Sequence, residues 1–372
     1  MKKTVKNILI VTSEFPPLPG GIGNHAYNLA KHLQLEGFQV TVLADQRAQD
    51  ITQTQAFDKQ QVFKIQRVPL TAVRAFMYLK RIQLLLKAIK ITDVVIATGK
   101  FSLWSVALCN MFYKKASHAI IHGSEVNYKT WWLKQSINLS LQQFDRVVAV
   151  SNYTKSLVAH LKHPNITVIP NGFDELKNTA LPLLEETALQ GHPVLLTVGN
   201  VTERKGQLNV IRHLPKLIIE YPEVHYHCVG FNTNTEVFIK EAERLGVEKH
   251  VTFHGHVLHE QLSFYYTQAD IFVMLSTPTA SGDVEGFGIA ILEANAFGVP
   301  AIGATGCGIE DAINHKQSGM LVSPTDTETF LVALKHIIKE KSAFSEGALA
   351  WAKQHEWTKV IKHYTKLIEA GR

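Results

Sequence analysis

At 372 residues the chain exceeds what one hydrophobic core usually serves, so two domains are expected. Its composition, 46% hydrophobic and 19% charged, is that of an ordinary globular protein, and its three cysteines, Cys109, Cys228 and Cys307, lie far apart with no C-x-x-C pair, which excludes a disulfide framework and a cysteine zinc site and points to a reducing, cytoplasmic compartment. The net charge of +6 is unevenly held, with 21 basic against 8 acidic residues in 1–170 and 17 against 24 in 171–372; a basic first half implies a polyanionic or membrane-surface partner, or lysines that merely keep a face hydrated.

The start, MKKTVKNILIVTSEF, is basic, but its apolar run is too short for a signal peptide and Glu14 follows closely. It reads as a first strand, and nothing downstream reaches the roughly 18 uninterrupted apolar residues of a membrane span. KNILIVTS (6–13), a helical apolar period over 23–36 and QVTVLAD (39–45) form a strand, helix, strand unit, the opening of an open α/β sheet. The pattern continues through DVVIATG (93–99), SHAIIHG (117–123), DRVVAVS (145–151) and NITVIPNG (165–172). A polar stretch with two prolines follows at 174–193 and reads as a linker with about one helical turn. A second series then runs through PVLLTVGN (193–200), EVHYHCVG (223–230), HVTFHG (250–255), DIFVMLS (270–276), VPAIGAT (299–305) and GMLVS (319–323), and the last segment, 344–368, is helical. The expected fold is α/β, two Rossmann-like doubly wound domains facing across a cleft. They span 1–173 and 193–354, joined by a linker at 174–192, with a C-terminal helix at 355–372 packing back on the first domain.

Glycines mark the strand ends. Gly21, Gly23 and Ala26 fit a dinucleotide fingerprint with Asp45 at the end of the next strand, although three prolines intervene after the first strand. The more general reading is a helix N-terminus whose free N–H groups favour a phosphate; the plainer one is a turn. IIHGSEV places His122 at a strand end, where it is either structural or catalytic. In TVGNVTERKGQ the cations Arg204 and Lys205 follow a strand end, where they would neutralise a diphosphate and stabilise it as a leaving group, or else form a hydrated loop. The stretch 281–311 sets Glu285 and Glu293 eight residues apart around Gly286, Phe287 and Gly288. Glu285 then precedes a helix and Glu293 lies inside it; they accept hydrogen bonds from sugar hydroxyls, or complement the helix dipole and a wet face.

Together these segments resemble the retaining, nucleotide-sugar-dependent enzymes of glycosyltransferase family 4, with the two-domain architecture called GT-B. GGIGNHAYNLAKHL, IIHGSEV, VAVSNYTKSLV, VIPNGFD, VGNVTERKG, EGFGIAILEANAFGVPAIGA and GCGIEDAI occur in family order across nearly the whole chain. The resemblance implies that Glu285 binds the transferred sugar near its reacting carbon and Glu293 the nucleotide ribose. It implies that the N–H groups of Phe287, Gly288 and Ile289 meet the phosphates, that Arg204 and Lys205 reach the diphosphate, that Gly21 and Gly23 approach it from the first domain, and that His122 lines the acceptor side. The family usually has Arg after the glycine of the VG motif; here Asn200 stands there, and Arg204 is expected to supply the charge. The implied reaction transfers a hexose-type sugar with retention to a glycan or lipid-linked acceptor, in cell-surface polysaccharide or glycolipid assembly. No cofactor is expected beyond the nucleotide-diphosphate sugar as co-substrate; no D-x-D motif occurs, so no metal is expected either, nor a nucleic-acid partner. A sugar-nucleotide epimerase or hydrolase of the same architecture, and a non-catalytic nucleotide-sugar-binding subunit, are the alternatives.

The basic half holds one further candidate. RAFMYLKRIQLLLKAIK (74–90), joined by Tyr128, Lys129, Trp131, Trp132 and Lys134, combines apolar surface with cations. That suits peripheral attachment to an anionic inner membrane face; alternatively the helix buries its apolar side in the first domain.

Overall fold

The computed structural model describes residues 6–18, 20–46, 51–69, 71, 74–174 and 188–371. The chain forms two compact units, Met1–Gly172 with Trp357–Arg372, and Phe173–Glu356. Unit 1 runs β1 (Asn7–Thr12), α1 (Gly21–Leu35), β2 (Gln39–Asp45), α2 (Ile51–Lys59), β3 (Lys64–Val68), α3 (Arg74–Lys90), β4 (Val94–Thr98), α4 (Lys100–Asn110), β5 (Ala116–Ile121), α5 (Trp131–Leu141), β6 (Arg146–Ala149), α6 (Asn152–Leu157) and β7 (Ile166–Val168). Its parallel sheet has the order β3-β2-β1-β4-β5-β6-β7. Strands of such a sheet are covered on both faces, which is why they are near-continuous Val/Ile/Leu runs rather than alternating ones. Val11 lies opposite both Leu43 and Ala97, and with Leu9, Val95 and Ile121 it forms the core under α3, α4 and α5.

Unit 2 runs β8 (Val194–Val198), α7 (Gln207–Glu220), β9 (His225–Val229), α8 (Thr235–Leu245), β10 (Val251–Gly255), α9 (Leu262–Gln268), β11 (Ile271–Met274), α10 (Ile289–Ala296), β12 (Ala301–Ala304), α11 (Ile309–Ala312), β13 (Gly319–Val322), α12 (Thr327–Lys339) and α13 (Lys341–Gln354). Its parallel sheet has the order β10-β9-β8-β11-β12-β13. The final helix, α14 (Trp357–Glu369), belongs to unit 1. There Trp357 and Tyr364 are buried, Trp357 stacks on His32 of α1, and the Tyr364 hydroxyl lies 3.1 Å from His25 Nε2.

Four differences from the sequence reading have physical causes. Strand β3, KIQRV, shows no run of apolar residues, yet it pairs with β2 as the sheet edge, where a strand needs little burial. The helical tail is two helices, broken at His355 and Glu356, where Phe173 N–H donates to the His355 carbonyl and Phe173 pairs with Glu356. Asp45 is no ribose ligand: it is buried and ion-paired with Arg81. Finally α3 turns Met77, Leu85 and Ile89 into the core of unit 1, so the helix does not offer its whole apolar side outward; Phe76 and Leu79 remain exposed. Residues 175–187 of the expected linker lie outside the described residues.

Candidate active site

In a doubly wound sheet, ligands sit beyond the carboxyl ends of the strands where the strand order reverses. In unit 2 that point lies between β8 and β11, and in unit 1 between β1 and β4. The loops leaving β8 and β11 are those that carry Arg204-Lys205 and Asp283 to Gly288.

Two close approaches hold these loops. Gly206 follows Lys205 at a φ of 81°, and a Cβ there would stand 2.0 Å from the Leu275 carbonyl oxygen at the end of β11. Asn209 Nδ2 donates to the same carbonyl at 2.8 Å, so the Arg-Lys turn is pinned to the neighbouring strand. Gly308 N–H donates to the Glu285 carbonyl at 2.9 Å, and a Cβ on Gly308 would lie 2.0 Å from the Gly286 oxygen. The second glycine cluster therefore seats the loop bearing Glu285.

The charged groups meet here. Arg204 Nη1 donates to Glu285 Oε2, Arg204 Nε lies 3.0 Å from Asp283 Oδ2, and Lys205 Nζ lies 2.9 Å from Glu285 Oε2. Burial pushes the Glu285 carboxyl up, but Lys205 and Arg204 beside it prevail and hold it at about 2. Burial also works against the Arg204 charge, and Glu285 and Asp283 more than restore it, raising its pKa. The aliphatic stem of Lys205 passes 3.3 Å from where a Cβ of Gly199 would be, so Lys205 crosses the VG end to reach Glu285, while Arg204 bridges Glu285 and Asp283. Asn200 is exposed, and its carbonyl accepts from Gln207 Nε2 at 3.1 Å.

Helix α10 starts at Ile289 with Gly288 as its N-cap, at a φ of 96° and with no side-chain cap. The N–H groups of its first turn are the ones a helix leaves without an intrahelical partner, and Glu285 lies three residues before this N-cap. The Phe287 side chain is buried, its ring 6.2 Å from that of His355, which anchors the backbone just before α10. Glu293 is not on a wet face: it is half-buried and accepts the Tyr266 hydroxyl at 2.8 Å. Burial raises its pKa, opposed by Tyr266, His259 and Lys205. Arg204, Lys205, Glu285, Phe287, Gly288, Ile289 and Glu293 thus gather around one strand edge. Asp283 and Tyr266 join them without having been expected; Asp283 stands two residues before Glu285, but nothing in the sequence marks Tyr266.

In unit 1, Gly21 opens α1 with nothing within 4 Å of a Cβ position, whereas a Cβ on Gly23 would lie 3.0 Å from the Glu14 and Phe15 backbone. Gly23 therefore serves helix packing, and Gly21 is the open position. His122 Nε2 lies 2.9 Å from Thr98 Oγ1, and its ring is 4.9 Å from that of His25. Burial lowers the His122 pKa to about 4, so it is a neutral imidazole at physiological pH. Trp131 and Trp132 are 74% and 64% exposed. Lys100 sits over the rings of Phe101, Trp104 and Tyr128.

Comparison with known proteins bears on the family and the fold. The family model for glycosyltransferase family 4 matches residues 19–175, and that for glycosyl transferases group 1 matches residues 184–356. A GDP-mannose-dependent alpha-(1-6)-phosphatidylinositol monomannoside mannosyltransferase of Mycolicibacterium smegmatis is 29% identical over 249 residues, 63% of this chain and 64% of that protein. The match thus spans less than two thirds of that relative. A glycogen synthase of Mycobacterium tuberculosis is 24% identical over 92% of this chain and 88% of its own. Anabaena HepE, solved in complex with UDP and glucose, superposes with a TM-score of 0.78 at 18% identity, covering 98% of this chain and 100% of its own. Sucrose-phosphate synthase from Thermosynechococcus elongatus superposes at 0.75, also at 18% identity, over 98% of both chains.

Proposed function

Because the chain belongs to the glycosyltransferases of the family 4 type, with two α/β domains of the GT-B kind, we propose that it is a retaining hexosyltransferase that moves a sugar from a nucleotide diphosphate to a hydroxyl of a glycan or lipid-linked acceptor. The observation that carries the reading is the convergence of Arg204 and Lys205 on Glu285 beside the uncapped start of α10. Two cations and the N–H groups of Phe287, Gly288 and Ile289 supply the charge a departing diphosphate requires. Glu285, ionised throughout the neutral range, accepts sugar hydroxyls, and Glu293, oriented by Tyr266, accepts the ribose hydroxyls. Asn200 borders the diphosphate through its loop. In unit 1, Gly21 leaves the start of α1 open to a ligand, and Gly23 packs the same helix start.

In the reaction, the bond between the sugar's anomeric carbon and the diphosphate oxygen breaks while the acceptor oxygen bonds to that carbon on the same face. The acceptor proton passes to the departing phosphate oxygen. His122, neutral and half-buried, orients the acceptor by hydrogen bonding. With Arg204 and Lys205 offsetting the phosphate charge, transfer proceeds without metal, and full turnover in excess chelator is the expected result. The test is a thermal-shift screen of uridine, guanosine and adenosine diphosphate sugars, followed by product analysis with and without acceptor. A true donor raises the melting temperature because it binds folded protein alone, and proton NMR of the product shows the donor's anomeric configuration. An inverted product, hydrolysis regardless of acceptor, or an epimerised donor would overturn the reading.

No helix among the described residues is long and apolar enough to cross a membrane. The mannosyltransferase relative acts on a phosphatidylinositol glycolipid by name, and unit 1 exposes Phe76, Leu79, Trp131 and Trp132 among lysines. On these grounds the protein acts in the cytoplasm, peripherally on the inner membrane face, in cell-surface polysaccharide or glycolipid assembly. Co-sedimentation with phosphatidylglycerol vesicles at low salt tests this: binding that Trp131→Ser with Trp132→Ser weakens is expected, and no binding would remove the membrane from the account.

A further inference from the structure

Glu125 lies three residues after His122, in the loop that leaves β5. It is 3% exposed and makes no ion pair among the described residues. Oε1 accepts the His122 backbone N–H at 2.5 Å, and Oε2 has no hydrogen-bond partner among the described residues. The Gly123 carbonyl accepts the N–H groups of Val126 and Asn127, both at 3.1 Å, so residues 122–127 close into one compact turn. A carboxylate buried without a cation is costly to a fold.

We propose that Glu125 is a positioning residue for His122, its ionised carboxylate clamping the backbone of the turn and so fixing the imidazole against Thr98. The inference rests on reading His122 as the acceptor-side group. A carboxylate accepts backbone N–H bonds about twice as strongly as a neutral carboxyl, so ionisation tightens the turn and protonation loosens it.

The surrounding groups decide which member of the pair titrates. Burial raises Glu125 to about 7, Glu14 from the loop after β1 adds to this, and the N–H groups of His122, Glu125 and Gly123 oppose it. His122 faces His25 of α1, itself bonded to Tyr364 of α14, and both imidazoles are held neutral by burial. Across the neutral range it is therefore Glu125 that changes charge. The folded carboxyl titrates above its ordinary 4.5, so stability is lost as the pH rises from about 4.5 through about 7 and the loss is complete above that. A residue kept only for stability would not carry that cost.

The experiment is a pH titration, from 5.5 to 8.5, of the full chain labelled with ring-13C histidine and without ligand. The His122 Cε1 signal is identified by its loss in His122→Gln. The wild-type signal is expected to move with a midpoint of about 7 while the ring itself stays neutral. Glu125→Gln is expected to abolish that inflection and to melt at or above the wild-type temperature at pH 8. A flat His122 signal through neutrality in the wild type, which needs no variant to fold, would overturn the proposal, as would an inflection that survives in Glu125→Gln. The readout involves no turnover, so failure of the transferase reading and failure of this inference are separately visible.

Discussion

Replacing Glu285 by glutamine separates a catalytic carboxylate from one that only complements a helix end. In the native protein this buried group is held at about 2 against an ordinary 4.5 by Lys205 and Arg204. A folded pKa below the unfolded one contributes stability that is fully present above about 4.5 and lost as the pH falls toward 2, and the gap corresponds to about 3 kcal/mol at neutral pH. Unit 2 of the Glu285→Gln variant should therefore melt about 6–12 °C lower at pH 7. Loss of a charge-complementing contact at the reacting centre should also reduce transfer by about a hundredfold or more. The two cations, relieved of an internal counter-ion, should bind a nucleoside diphosphate at least as tightly as before. Differential scanning fluorimetry with and without the diphosphate, and product formation with the donor found by screening, read all three quantities. Transfer within tenfold of wild type, less than about 1.4 kcal/mol of barrier, would refute the assignment.

Four further outcomes follow from the structure. Gly308→Ala places a methyl against the Gly286 carbonyl; it should cost about 1–3 kcal/mol by overpacking and depress turnover by displacing Glu285. Gly306→Ala, at a φ of 81° but in open space, should cost about 1–2 kcal/mol of backbone strain and leave turnover nearly intact. On the polar side of β9 and β10, His225, His227 and His254 are packed together; burial and mutual repulsion hold His225 and His254 at about 4. Because the unfolded histidines take up protons first, the melting temperature should fall between pH 6.5 and 4, below which only the loss due to Glu285 continues, and His227→Gln should flatten the slope above pH 4 in a thermal melt series. Tyr266→Phe removes the hydrogen bond that orients Glu293; steady-state kinetics should show a raised donor KM with kcat changed less than in Glu285→Gln.

The sequence carries the fold where burial writes it. Runs such as NILIVT and IFVM are sheet strands because both faces of a parallel sheet are covered, and all six strands of unit 2 lie where apolar runs place them. Edge strand β3 escapes the same logic because an edge needs few apolar side chains. For α3, composition alone does not say which way the apolar side points; the Arg81–Asp45 pair and buried Leu85 show that most of it turns inward. At the candidate site, Glu285, Arg204 and Lys205 are legible as residue types at strand ends, but their mutual pairing is not, since 81 residues separate Arg204 from Glu285. Tyr266, Asp283 and Glu125 acquire meaning through distance and burial, quantities the linear chain does not display.

In the proposed reaction the Arg204-Lys205 turn and the start of α10 hold the diphosphate of the donor. Isothermal titration of the matching nucleoside diphosphate and monophosphate into wild type and an Arg204→Ala, Lys205→Ala double variant tests it directly. Charge-assisted hydrogen bonds contribute about 1.5–3 kcal/mol each, so wild type should prefer the diphosphate by at least about tenfold and the double variant should lose that preference. A double variant that binds both nucleotides as wild type does would contradict the account.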